Sequence, residues 1–319
     1  MIALFSDSFA TAFFPAAFII TAVLTFIILK VLMDKLPTDI GRAFAVNAEK
    51  AKGKPRGSGV IFIPVYCVCC LLFSAFSLEY LIYLVLLIAV MLTGFLDDAS
   101  RNPWSDYKKG LLDLLIAVGI SVNYALNNSC EITFKIIGNI TGSDISVTIP
   151  TVVYVILGTI LVWMAINVVN CTDGVDGLCT SLSIIALFPF ILLTNDPDFQ
   201  NCGFLFIASL AAYLWFNAGP SQMLMGDAGS RPIGVFFAIA AMKSGDPFLF
   251  IPVCLIFIID GGMGLVKILL LRFFKIKIFA NVRFPLHDHL RKNKGWSDTQ
   301  TVIRFCILQL FISFLVLYL

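Results

Sequence analysis

The stretch LEYLIYLVLLIAVMLTGFL, residues 78–96, decides the fold, and Asp97 and Asp98 directly after it point to the chemistry. A helix rises about 1.5 Å per residue, so roughly 20 apolar residues cross a bilayer core about 30 Å thick. Glu79 is the one charge in the run, and it lies at the edge. Residues 9–32 and 248–271 are similar in length and character. Across all 319 residues, 59% are hydrophobic and 13% charged, with mean hydropathy +0.95. A soluble domain carries about 25% charged residues, so this much apolar surface excludes a soluble fold.

Apolar segments recur near 9–33, 58–74, 78–96, 109–126, 150–169, 178–194, 203–219, 232–244, 248–271 and 301–319. The expected fold is an all-α polytopic membrane protein of about ten spans, with residues 1–319 forming a single integral membrane domain. The first residues hold Asp7 and no Lys or Arg, so no cleavable signal is expected. No repeat or low-complexity segment stands out. Residues 127–149 break the helical pattern: β-branched runs flank Thr141-Gly142-Ser143, which predicts a small exterior β-hairpin. Most of the nine cysteines sit in apolar runs as small hydrophobes. Cys67, Cys69 and Cys70 have no His or acid beside them, which argues against zinc, and Cys130 and Cys202 are assigned to exterior loops where they could pair, with nothing specific in favour of it.

Net charge is +2, and the bases sit at span ends, which argues against nucleic acid. Lys35, Arg42, Lys50, Lys52, Lys54 and Arg56 follow the first span. Arg101, Lys108 and Lys109 follow the third, and Arg272, Lys275, Lys277, Arg283, Arg291, Lys292 and Lys294 follow the ninth. With ten spans these loops share one face, and the other face has only Lys135 and Lys243. The basic face is therefore expected to be cytoplasmic, with both termini outside.

The polar clusters share that face. Asp97 and Asp98 close the third span, and adjacent carboxylates favour a shared cation or one raised pKa. Mg²⁺ suits oxygen ligands beside phosphate. In NVVNCTDGVDGL, residues 167–178, Asn167, Asn170, Asp173 and Asp176 are spaced by three, which would align them on one helical face. Asn217 ends the seventh span, and MGDAGS, residues 225–230, offers Asp227 between glycines. Ser230 either caps the next span or binds phosphate. His287 and His289, the two histidines of the chain, flank Asp288 in a basic loop that suits phosphate better than metal. Lys54 and Arg56 in a glycine-rich loop fit anionic lipid or phosphate, or equally a topology signal. Together the clusters suit metal-assisted phosphoryl transfer to a lipid.

In this order, over residues 36–296, the motifs resemble the polyprenyl-phosphate N-acetylhexosamine-1-phosphate transferase superfamily. GRAFA at 41–45, GKPRGSG at 53–59 and PLHDHLRKNKGW at 285–296 resemble its phospho-N-acetylmuramoyl-pentapeptide transferase branch. That resemblance implies transfer of phospho-MurNAc-pentapeptide from its UDP donor to undecaprenyl phosphate, giving lipid I and UMP in peptidoglycan synthesis. It further implies the bacterial plasma membrane, a cytoplasmic cleft, Mg²⁺, a homodimer and inhibition by nucleoside antibiotics such as tunicamycin. Carried over by position, Asp227 would hold Mg²⁺ with help from Asn170, and Asp97, Asp98 and His287 would join Asp227 in catalysis. Lys54, Arg56, Arg101, Asn167, Asn170, Asp173, Asp176, Asn217, Ser230, His289 and Arg291 would bind substrate. Three positions depart from the family: Arg101 stands where Lys is usual, Asp288 where His is usual, and Leu224 where an aromatic is frequent. Two alternatives stay open. One is a UDP-GlcNAc:polyprenyl-phosphate GlcNAc-1-phosphate transferase. The other is an ion-coupled transporter, which Asp260 inside the ninth span beside Gly261 and Gly262 fits better, although a place in the protein interior at a helix bend is the preferred reading of that residue.

Overall fold

The computed structural model describes residues 7–39, 51–74, 77–100 and 104–319, with side chains from residue 13 onward. Helices dominate: α1 (Asp7–Leu32), α2 (Gly59–Phe73), α3 (Leu78–Asp98), α4 (Asp106–Asn127), α5 (Lys135–Thr141), α6 (Thr151–Thr172), α7 (Leu178–Leu193) and α8 (Pro197–Asn217). After them come α9 (Asp227–Lys243), the bent pair α10 (Pro247–Val253) and α11 (Leu255–Phe274), α12 (Leu286–Lys294) and α13 (Asp298–Tyr318). Among the described residues six helices are long and apolar enough to cross a membrane, and the bent pair makes a seventh. Their outer faces confirm the environment: Val31, Val152 and Phe311 are 64%, 71% and 69% exposed. Such a surface is stable against lipid and not against water.

α9 is the axis of the bundle. All its residues are buried, and it packs against α6, α3 and α2. Small residues make this possible, since they let backbones approach closely where lipid offers no hydrophobic drive. A Cβ on Gly234 would lie 2.5 Å from the Ala165 carbonyl oxygen. At the other end of the helix, buried Lys243 holds Glu79 at 2.7 Å and Asp196 at 3.0 Å, and donates to Asn128 Oδ1. Lys135 Nζ donates to the Leu193 carbonyl. Buried Lys243 and half-buried Lys135 are both engaged by protein groups.

The α10–α11 pair bends by 67° at Cys254. Pro252 has no N–H for the helix ladder, and such a residue is a common cause of kinks. One turn on, Ile258–Gly262 widens into a π-helix. Gly261 is needed there, because a Cβ on it would meet Cys171 Cβ and the Val168 oxygen, each at 2.7 Å.

Two expectations need correction. In 127–149 the strands β1 (Glu131–Thr133) and β2 (Ser146–Thr148) do pair antiparallel, Ile132 opposite Val147, but α5 lies between them instead of a tight turn. Gly142 is the left-handed cap of α5 and not the centre of a hairpin turn. Cys202 is not in a loop: it is buried in α8, its Sγ 3.4 Å from Ser74 Oγ, and both it and Cys130 are free thiols.

Candidate active site

Asp98 joins three elements. Its Oδ2 accepts the Asp227 backbone N–H (2.7 Å), and its Oδ1 accepts Arg56 Nε and Nη2 (3.0 and 2.8 Å). The first amides of a helix lack intrahelical partners and carry positive potential, so an anion there is stabilised. Glycines bring the parts close: a Cβ on Gly94 would sit 2.5 Å from the Asp227 carbonyl, and one on Gly59 would sit 2.2 Å from that of Ala228. Gly226, at φ +63°, leaves room for the Asp98 carboxylate itself.

Asp97 points the other way, toward α4. Its Oδ1 accepts the Trp104 N–H (2.9 Å), and its Oδ2 lies 2.5 Å from Lys109 Nζ. Asp227 is different from both. Its residue is largely buried, yet its carboxylate accepts no hydrogen bond from the described residues. An acid held at the head of a helix with its oxygens unclaimed is suited to a hard cation or a phosphate's counter-ion. One turn further, Ser230 donates to Asn170 Oδ1 (2.8 Å) and to the Gly226 carbonyl (3.0 Å). Ser230 is thus inside the helix and does not cap it; Gly226 occupies the cap.

The glycine-rich loop closes the site from the side. Leu224 N–H donates to the Pro55 carbonyl, and the Leu224 carbonyl accepts from Gly57 and Ser58. Arg56 also donates to Asp39 Oδ2 (2.6 Å). Burial alone would lower the pKa of Arg56, but Asp98 and Asp39 outweigh it and hold it above its ordinary value. Lys54 Nζ reaches Asp176 Oδ2 (3.1 Å) and Ser221 Oγ (2.8 Å). Burial pushes Asp176 up, yet hydrogen bonds from Ser221 and the Lys54 charge hold it below the usual carboxylate range.

The three-residue spacing of 167–176 does not make one helical stripe. α6 ends at Thr172, so Asp173 and Asp176 lie in the following turn. Asn167 is half-buried, and its amide donates to the Trp163 carbonyl one turn back. Asn217 is buried: its Oδ1 accepts the Gly177 N–H and Thr180 Oγ1, while its Nδ2 donates to the Met223 carbonyl. Its amide thus serves the turn at Gly177.

The histidine segment is the helix α12 and not an irregular loop. His287 is buried, with Nδ1 2.8 Å from Asp260 Oδ2 and its backbone N–H donating to Asp260 Oδ1 (2.7 Å). His289 Nδ1 accepts the Arg283 N–H (3.3 Å). Arg291 pairs with Asp298 (2.7 Å) and donates to the Gly174 carbonyl (3.4 Å). Arg101 lies outside the described residues. Reading the sequence alone missed Asp39, Lys109, Asp113, Arg231 and Asp260 as parts of this neighbourhood. Arg231, one turn after Asp227, pairs with Asp113, one turn after Lys109, at 2.5 Å, and both are buried. A charge in mid-span was the available signal for Asp113 and Asp260.

Bundle and site together define a polytopic membrane protein with a cluster of acids and bases around the head of α9. Residues 80–245 match glycosyl transferase family 4, and the chain belongs to that family. Its full-length likeness is to the phospho-N-acetylmuramoyl-pentapeptide-transferases. The protein of that name from Treponema pallidum (strain Nichols) is 39% identical over 293 residues, covering 86% of this chain and 80% of the relative. Those of Thermoanaerobacter sp. (strain X514) and Helicobacter pylori (strain Shi470) are 28% and 25% identical, each over 84% of this chain and 85% and 81% of their own.

Proposed function

We propose that the protein transfers phospho-MurNAc-pentapeptide from UDP-MurNAc-pentapeptide to undecaprenyl phosphate, giving lipid I and UMP. The observation that carries this reading is the likeness to enzymes of that name along four-fifths or more of each chain. The linked cluster of Arg56, Asp98 and Asp227 is consistent with it. The transporter reading loses its main support, because Asp260 is engaged with His287 and not free on an ion path.

In the proposed reaction an acceptor phosphate oxygen attacks the sugar-linked phosphorus, and the bond from that phosphorus to the bridging oxygen of UMP breaks. A phosphate monoester has its second pKa near ~6, so much of the acceptor is already a dianion at neutral pH. We assign Asp97 to take the remaining proton, with Lys109 stabilising the pair. Asp98 orients the head of α9, and Arg56 balances its charge. Lys54, Asp173, Asp176 and Asn217 form the nucleotide side, and His287, His289 and Arg291 the phosphosugar side. Asp227, with Asn170, whose Oδ1 accepts from Ser230 one turn along α9, would hold Mg²⁺; their hard oxygens fit it, and the ion would neutralise charge on the diphosphate.

The reading extends to topology and assembly. On this reading the six long helices, the bent pair, the shorter apolar helices α2 and α7, and α9 would make ten crossings, with the acidic cluster cytoplasmic and both termini outside. The resemblance adds a homodimer and inhibition by tunicamycin-type nucleosides. The test is UMP release by the purified protein with undecaprenyl phosphate and either UDP-MurNAc-pentapeptide or UDP-GlcNAc, with and without EDTA. Turnover with the muramoyl donor alone, lost with EDTA, is expected. Turnover with UDP-GlcNAc alone would keep the chemistry and replace the substrate.

A further inference from the structure

Asp260 lies in the middle of the membrane sequence and is fully buried, yet it has a complete set of partners. The π-turn at Ile258–Gly262 turns it inward, and Gly261 lets that turn lie against α6. One oxygen accepts the backbone N–H of His287, an amide of the first turn of α12 that has no partner within its own helix. The other oxygen faces Nδ1 of the same residue. One carboxylate thus fixes both the main chain and the ring of His287. The far edge of the ring lies against the turn between Asp173 and Asp176, because a Cβ on Gly174 would come within 2.3 Å of Nε2.

We propose that Asp260 is a positioning residue that holds His287 in its Nδ1–H tautomer, with the Nε2 lone pair presented at the Gly174 turn. Asp260 Oδ2 lies within hydrogen-bond distance of Nδ1 (2.8 Å), whereas the Asp288 carboxylate is 3.7 Å from Nε2, too far for a hydrogen bond, so in the neutral ring the proton belongs on the nitrogen that has the acceptor and the lone pair on the one that does not. Nε2 is then committed to accept a hydrogen bond from a hydroxyl or amide N–H of a donor sugar bound at that turn. The kinetic part of this inference rests on the transferase reading; the tautomer does not.

Two measurements test it. The chain has two histidines, so ¹⁵N-imidazole NMR of the detergent-solubilised full chain gives two sets of ring signals, and His289→Gln assigns them. At a pH where the ring is neutral, His287 is expected as the Nδ1–H tautomer in the parent. In Asp260→Asn that preference is expected to disappear, since the oxygen that keeps the backbone N–H leaves an NH₂ facing the ring, which donates to Nδ1 instead of accepting from it. A predominantly Nε2–H tautomer in the parent would overturn the proposal, whether or not the protein turns over. In UMP release, Asp260→Asn and His287→Gln are each expected to lower kcat on the order of a hundredfold, the effect of a misplaced group near reacting atoms. The double variant is expected to be no slower than His287→Gln, and KM for undecaprenyl phosphate should change less than about twofold. Losses that multiply in the double variant would mean Asp260 acts apart from His287 and would sink the positioning role. A parent that forms the Nδ1–H tautomer but releases no UMP would refute the transferase reading alone.

Discussion

At the scale of single residues, Asp98 and Asp227 separate an acid that holds the structure from one left open by the described residues. Asp98 has both oxygens occupied by Arg56 and the head of α9, whereas Asp227 has neither oxygen claimed by the described residues. Asp227→Ala is therefore expected to abolish UMP release with little change in melting temperature, whereas Asp98→Ala is expected to lower both. Asp113 and Arg231 give a different contrast. Removing one member of a buried ion pair costs about 3–5 kcal/mol, while replacing both with apolar residues is often neutral. Asp113→Asn should thus lower the thermal unfolding midpoint in detergent markedly, and Asp113→Leu with Arg231→Met should restore most of it. Asp176 provides a pH test. Its folded pKa is depressed, so its contribution is fully present above the ordinary carboxylate value near ~3.9 and is lost as pH falls through the lower folded value. Proteolysis of the 51–58 loop, tied down by Lys54, should stay flat from pH 5 to 8 and rise below about pH 4. Asp176→Asn should make cleavage fast throughout.

At the scale of elements, the decisive feature is how closely α2 and α3 approach the head of α9. Gly59 and Gly94 meet backbone, not side chain, so no rotamer change can absorb an added methyl. Gly94→Ala is expected to push α3 away from α9 and carry Asp97 and Asp98 out of register with Asp227. A shift of about 1 Å at a catalytic group can cost on the order of a hundredfold in rate. Kinetics of Gly94→Ala should show a loss of that size in kcat while the protein still purifies as a monodisperse species. Gly110→Ala, where the new methyl meets nothing within 4 Å, is the matched control and should be nearly silent.

At the scale of the whole molecule, charge is sorted by end. The site end carries acids with Arg56, Lys54 and Lys109 around them, and the opposite end hides Lys243 among Glu79, Asp196 and Asn128. That sorting agrees with the preference of cytoplasmic loops for Lys and Arg. Alkaline phosphatase fused after Leu319 should be active in bacteria, and the same enzyme inserted after Gly295 should be inactive. The reverse pattern would invert the proposed topology.

By itself the sequence determined the solvent and the closing residues of two helices at the site. Long apolar runs leave no alternative to a membrane, and Asp98 and Asn217 end α3 and α8 as the composition breaks at those residues imply. It also supplied most of the acids and bases of the site, because charges are costly in lipid and are kept there for a reason. Only the tertiary structure decided their roles. Whether a carboxylate is engaged or open depends on neighbours far along the chain: Asp98 on Arg56 and Asp227, Asp113 on Arg231, Asp260 on His287. The segment 127–149 shows the same limit, since its β-branched residues suit either a turn of helix or a strand until packing selects one. Local pattern fixes where a polar group enters the chain, and packing fixes what it touches.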